Sequence, residues 1–187
     1  TGYLFHFPFM PDELRLQTHN CLYPANLYKG IFWQPNPKLI YLGMQDQYFT
    51  FNMFDAQAWY ARDVIMGDIE LPDLVAREED EQKWLATYAK CVTVSDSIDF
   101  QAAYIRDLTN VTDYPEFAVE KQGEILKEWQ RDKAENIMTF REKAYRSTLT
   151  GTMSPELPEP WLEILDDSLE HFLNLTFVKP KKRKKVS

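Results

Sequence analysis

Residues 39–50, LIYLGMQDQYFT, and the following residues 51–67, FNMFDAQAWYARDVIMG, decide the fold class. Leu39-Ile40-Tyr41-Leu42 is a short, unbroken apolar run closed by Gly43, which predicts a strand buried on both faces. Residues 44–50 are a polar loop. Residues 51–66 then read as a helix stopped by Gly67. Phe51, Phe54, Ala58, Ala61, Val64 and Ile65 cover most of its circumference, which predicts an interior helix. Strand, polar loop and buried helix make an α/β arrangement, and the loop is either a ligand site at a helix N-terminus or an ordinary polar turn. The sequence supplies few other strands of this kind, so most of the implied sheet is expected to come from residues outside this chain.

Upstream, residues 1–38 are rich in aromatics and prolines (Pro8, Pro11, Pro24, Pro35, Pro37), which favours loops and short strands over long helices. Downstream the chain is acidic and helical. Residues 78–92 and 97–108 read as amphipathic helices, the second capped by Ser95 or Ser97. Residues 119–147 carry a long helical pattern with a break near Asn136. Pro155, Pro158 and Pro160 form a connector to a last helix over residues 161–172.

Composition narrows the chemistry. With 44% apolar, 27% charged and 14% aromatic residues over 187 positions, the chain can bury a core. Its six glycines are so far apart that neither a GxGxxG nor a Walker loop is present. Six of the 21 basic residues lie within the last nine positions, leaving 15 against 29 acidic residues elsewhere, so the body should repel nucleic acid. The terminal cluster Lys179, Lys181, Lys182, Arg183, Lys184, Lys185 reads as a nuclear-localisation-like signal, a solvated disordered tail or an appended peptide. Cys21 and Cys91 are far apart with no CxxC, which predicts reduced thiols in a cytoplasm and no zinc site. No apolar run approaches a membrane span, no leader opens the chain, and the absence of an initiating Met predicts a piece of something longer.

A search for catalytic groups finds no protein nucleophile. His6, His19 and His171 stand in unrelated segments, and only His19 lies near a thiol, Cys21, in what reads as a surface loop. The run Glu78-Glu79-Asp80-Glu81 lacks calcium-loop spacing and reads as a solvated face. Arg141 and Arg146, placed on a helix among apolar neighbours, are each either a structural ion pair or an anion or carboxamide clamp.

Thr1-Gly2-Tyr3, residues 20–30 (NCLYPANLYKG), residues 39–63 (LIYLGMQDQYFTFNMFDAQAWYARD) and residues 135–153 (ENIMTFREKAYRSTLTGTM) resemble the flavin-containing monooxygenases, in their bacterial trimethylamine monooxygenase branch. The resemblance covers residues 1 to about 175. It implies the C-terminal part of a doubly wound FAD/NAD(P)-binding fold followed by a mostly helical region. Residues 1–68 would complete the FAD-binding domain, residues 69–176 would form the helical region, and residues 177–187 a basic disordered tail. The family's two Gly-rich nucleotide-binding turns would precede Thr1.

The resemblance further implies that NADPH reduces FAD, that dioxygen adds to the reduced flavin as a hydroperoxide, and that a tertiary amine or sulfide takes one oxygen atom. Because the cofactor carries that chemistry, no protein nucleophile is needed. Gln47 and Thr50, with Thr50 as N-cap, would touch the flavin, and Arg141 would contact NADP. The partners implied are the missing N-terminal portion, an amine or sulfide substrate, dioxygen and a second copy in a homodimer, with no nucleic acid and no membrane. Two other classes fit less well. An acidic helical interaction module with a nuclear signal would not need the buried strand and polar loop. Another flavin or nicotinamide oxidoreductase would not explain the blocks over residues 20–30, 39–63 and 135–153.

Overall fold

The computed structural model describes residues 7–16, 20–148 and 150–153. Thr1-Gly2-Tyr3, the three histidines, the final helix and the basic tail lie outside them. Two short strands, β1 (Leu27–Tyr28) and β2 (Phe32–Trp33), pair antiparallel, with Leu27 opposite Trp33 and Tyr28 opposite Phe32. Four helices follow: α1 (Thr50–Met66), α2 (Leu74–Tyr88), α3 (Val94–Thr109) and α4 (Val119–Glu135). Helix α3 packs against α1 on one side and α4 on the other, while α2 packs on β1.

The turn between the strands requires its sequence. Lys29 and Gly30 sit at φ +54° and +62° between Tyr28 and Ile31, whose carbonyl and N–H close the turn at 3.0 Å. Glycine is demanded at position 30 for a second reason. A Cβ there would lie 2.4 Å from the Gln45 Nε2 and 3.0 Å from the Tyr104 hydroxyl. Lys29 is nearly buried and donates from its Nζ to Asp80 of α2 at 2.9 Å and Asp107 of α3 at 2.7 Å, tying the turn to two helices. Burial pulls this ammonium's pKa down, but the hydrogen bonds to Asp107 and Asp80 outweigh it and leave the group above its ordinary range.

The run Leu39–Leu42 departs from the strand the sequence predicts. Ile40 makes one antiparallel bridge to Phe32, flanked by the bonds Trp33 N–H to Leu39 O (3.0 Å) and Tyr41 N–H to Ile31 O (2.8 Å). Tyr41 is buried but Leu42 is 43% exposed, so this is an edge one bridge long. Helix α1 also differs. It buries one face, Met53, Ala56, Gln57, Tyr60, Ala61 and Asp63, while Phe51, Ile65 and Met66 are exposed. Its apolar residues therefore serve two faces, of which the described residues cover one.

Helix α2 starts at the Asp73 cap, whose side chain accepts from the Ala76 N–H at 2.9 Å, four residues before the predicted start. Helix α3 starts at Thr93 in a reciprocal capping box with Asp96. Trp84 of α2 joins them, its ring 5.4 Å from Phe100 and 5.7 Å from Tyr104, both edge-on, and stacked 6.0 Å from Tyr23.

Helix α4 ends at Asn136, and the chain folds back along it. Phe140 is buried edge-on against Trp129 at 5.1 Å. Lys143 then donates to Glu128 at 2.6 Å and Asp132 at 2.9 Å, and the Tyr145 hydroxyl donates to the same Asp132. The Tyr145 hydrogen bond, followed by that of Lys143, holds the Asp132 carboxyl below the usual carboxylate range.

Two outcomes follow from these contacts. Gly30→Ala combines left-handed backbone strain with a collision against buried amides and should cost roughly 2–4 kcal/mol. Gly67→Ala, whose Cβ would meet nothing within 4 Å, should cost only about 1–2 kcal/mol, and urea midpoints of both variants check the order. Because the Asp132 pKa is depressed on folding, its contribution is present above the ordinary carboxylate range and lost as pH falls through the lower folded value. Asp132→Asn should therefore lower the thermal midpoint at pH 7, and the gap to wild type should narrow as pH falls below the ordinary carboxylate range, which midpoints measured over an acid series will reveal.

Candidate functional site

The loop over residues 43–48 is held by polar side chains that the core encloses completely. Gln45 (2% exposed), Gln57 and Gln101 (both 0%) come from the loop itself, α1 and α3. The Gln57 Nε2 donates to Gln45 Oε1 and to the Tyr104 hydroxyl, each at 2.8 Å, and its Oε1 accepts from the Gly43 N–H at 2.8 Å. Gln45 Nε2 also donates to Tyr104 at 3.2 Å, and Tyr104 passes its own proton to the Lys29 carbonyl at 2.7 Å. The hydroxyl thus accepts twice and donates once, its full capacity. Burial drives the Tyr104 pKa up, so the group stays neutral.

Gln47 is half-buried in this loop. Its N–H donates to the Asp46 carboxylate at 3.0 Å, and its side-chain amide makes one long contact, 3.4 Å, to the Gly43 carbonyl. Three residues on, Thr50 opens α1, but not as the predicted cap. The N-cap is Phe49, and no side chain caps the helix. Thr50 itself sits at φ +25°, a strained value for a β-branched residue. The replacement Thr50→Ala therefore removes no cap bond.

Arg141 is not on a helix. It lies in the turn after Asn136, exposed, with its guanidinium 4.6 Å over the Phe140 ring. The structural ion pair that the sequence left open for Arg141 is not formed: among the described residues its guanidinium has no carboxylate partner. Arg146 instead donates to the Gly151 carbonyl. The structure thus brings Gln47 and Thr50 to one helix start and places Arg141 at the far end of α4, with no contact between the two groups among the described residues.

Sequence reasoning missed Gln45, Gln57 and Gln101. Two of them carry one signal, a polar residue where helical spacing calls for an apolar one: Gln57 falls between Met53 and Tyr60 on the α1 core face, and Gln101 between Ile98 and Tyr104 on that of α3, while Gln45, in the loop, carries none. Among the described residues no three His, Cys, Asp or Glu side chains gather as metal ligands, and no helix is long and apolar enough to cross a membrane.

No family model matches the sequence. The trimethylamine monooxygenase of Methylocella silvestris is 58% identical over 174 residues, which are 93% of this chain and 39% of that protein. The trimethylamine monooxygenase of Pelagibacter ubique is 52% identical with the same coverage. The crystal structure of Tmm from Pelagibacter sp. strain HTCC7211 matches with a TM-score of 0.84 at 48% identity, covering 92% of this chain and 39% of that one. The chain therefore spans about two fifths of the length of these relatives. Identity of this order, on a shared fold, along nearly the whole of the chain places it in the flavin-containing monooxygenase family, as a C-terminal portion of the bacterial trimethylamine monooxygenase type.

Proposed function

We propose that this chain is the part of an NADPH- and FAD-dependent monooxygenase that completes the flavin site and holds the nicotinamide nucleotide. The whole enzyme would transfer one oxygen atom from dioxygen to trimethylamine or a similar amine or sulfide. The observation that carries the reading is the 58% identity, over 93% of the chain, to a protein named trimethylamine monooxygenase. The reading includes a cytoplasmic homodimer. By itself the chain contains no Gly-rich nucleotide turn, so it would be inactive without the rest of the enzyme.

The residues at the start of α1 fit the edge of a flavin ring. An uncapped helix N-terminus offers backbone N–H groups and the positive end of a dipole. Beside it stand a half-buried amide, Gln47, with one long internal contact, and a strained Thr50. These would hold the electron-rich pyrimidine side of FAD. When bound, FAD supplies the redox chemistry, and the protein's share is binding, orientation and exclusion of water. Arg141 fits a nucleotide clamp, because its five donors are presented from an exposed turn with no carboxylate among the described residues to consume them. The alternative of a non-catalytic interaction module has no structural observation in its favour.

Two experiments on the full-length enzyme test this reading. Gln47→Ala and Thr50→Ala should each weaken FAD retention or shift the flavin potential, and unchanged values in both would remove the assignment. Arg141→Lys should weaken NADPH binding about tenfold, as expected for loss of a forked charge-assisted contact, and raise the fraction of NADPH consumed without oxygenated product. A lower melting temperature with an unchanged ratio of product to NADPH would return Arg141 to a structural role.

A further inference from the structure

Gln101 is fully enclosed in α3, between the core residues Phe100 and Ala102 and one turn from Ile98 and Tyr104. Its carboxamide grips the backbone on both sides of Gln47. Oε1 accepts from the Tyr48 N–H at 2.8 Å, and Nε2 donates to the Asp46 carbonyl. Donating to the residue before and accepting from the residue after is the pattern that a parallel strand presents to its neighbour. One side chain thus replaces a missing strand at a point where the chain has left the sheet.

We propose that Gln101 is a positioning residue for the flavin contact made by Gln47. The inference rests on the reading of Gln47 given above. With the peptide groups on either side of it fixed, the Cα of residue 47 is fixed as well. The amide of Gln47 is then aimed by the backbone rather than by its own single 3.4 Å bond. The chemistry favours this over simple core filling. A buried amide is tolerated only when its hydrogen bonds are made, and an apolar residue would suit the surroundings of Ile98, Tyr104 and Ile105 without that requirement. Both arms of Gln101 act on one loop and on no helix or strand. Two residues after Tyr48 the same loop delivers Thr50, so the bracket also sets where α1 begins.

The test uses the full-length, FAD-loaded enzyme with Gln101→Met and Gln101→Leu, which remove both bonds at similar volume, beside Gln47→Ala and the reference Ile105→Val on the same helix. The measurements are the FAD dissociation constant, the flavin midpoint potential and the thermal midpoint. Either Gln101 variant should raise the FAD dissociation constant several-fold and shift the potential in the direction of Gln47→Ala, and combining it with Gln47→Ala should add little. Ile105→Val should lower the thermal midpoint and leave both flavin readouts in place. Flavin properties that move in Gln47→Ala but not in the Gln101 variants would overturn the proposal while sparing the reading of Gln47. Flavin properties unmoved in Gln47→Ala would overturn both. Hydrogen exchange in the wild-type enzyme stripped of FAD gives a check that no variant can spoil: the Tyr48 amide should be protected, and exchange at an open-loop rate would overturn the bracket.

Discussion

The structure depends on a set of neutral amides buried where hydrocarbon would ordinarily sit. Gln45, Gln57 and Tyr104 form a closed ring of hydrogen bonds whose outlets are the Gly43 N–H and the Lys29 carbonyl. Each of these outlets belongs to a turn, one leaving the Leu39–Leu42 edge and the other joining β1 to β2. An unpaired buried amide costs about 1–3 kcal/mol, so the ring holds together only while every member is present. That requirement passes to the backbone. Gly30 must lack a Cβ because the ring occupies the space where one would lie.

From the ring outward, the packing follows in layers. Tyr104 carries the edge-on contact with Trp84, which carries the contacts with Phe100 and Tyr23, so the aromatic core is assembled around a residue whose hydroxyl is already committed. A second polar group docks α2 on the strand pair. Glu81 accepts from the Asn26 N–H at 2.6 Å and from Gln34 Nε2 at 2.8 Å, while Arg77 donates to the Gln34 carbonyl at 3.1 Å. With two strands of two residues each, the sheet is too small to order these loops by its own ladder. Side chains take over the task that neighbouring strands perform in a larger sheet.

This explains what the sequence makes legible. The helices were readable because each carries an apolar stripe, and Gly67 ends α1 as predicted, in the left-handed conformation. The helix starts were less so. Thr93 caps α3 in a box closed by Asp96 rather than the usual Glu or Gln, and Ser95 and Ser97 drew the prediction into the helix. Residues 137–147 carry helical spacing, but Phe140 gains more by returning to Trp129 than by continuing the helix into solvent, a long-range choice that local periodicity does not record. At the candidate site, the polar loop between the predicted strand and helix pointed to Gln47 and Thr50, and the family block over residues 135–153 pointed to Arg141. The three buried glutamines were passed over, because a hydropathy reading assigns polar residues to the surface even where, as at Gln57 and Gln101, they fall on an apolar helix face.

The two halves of the candidate site are held by opposite kinds of chemistry. Around Gln47 the supports are chiefly the neutral amides of the buried core, whose strength varies little with salt, joined by the Asp46 carboxylate that accepts the Gln47 N–H. Around Arg141 the supports are Lys143, Glu128 and Asp132, charges near the surface whose individual contributions are small and screened by salt. The apolar contact of Phe140 on Trp129 anchors that turn, and the ion pairs refine its direction. The loop at the start of α1 cannot shift without breaking buried hydrogen bonds to Gln57 and Gln101. The turn that carries Arg141, fixed by one buried ring and several weak ion pairs, can yield at smaller energetic cost.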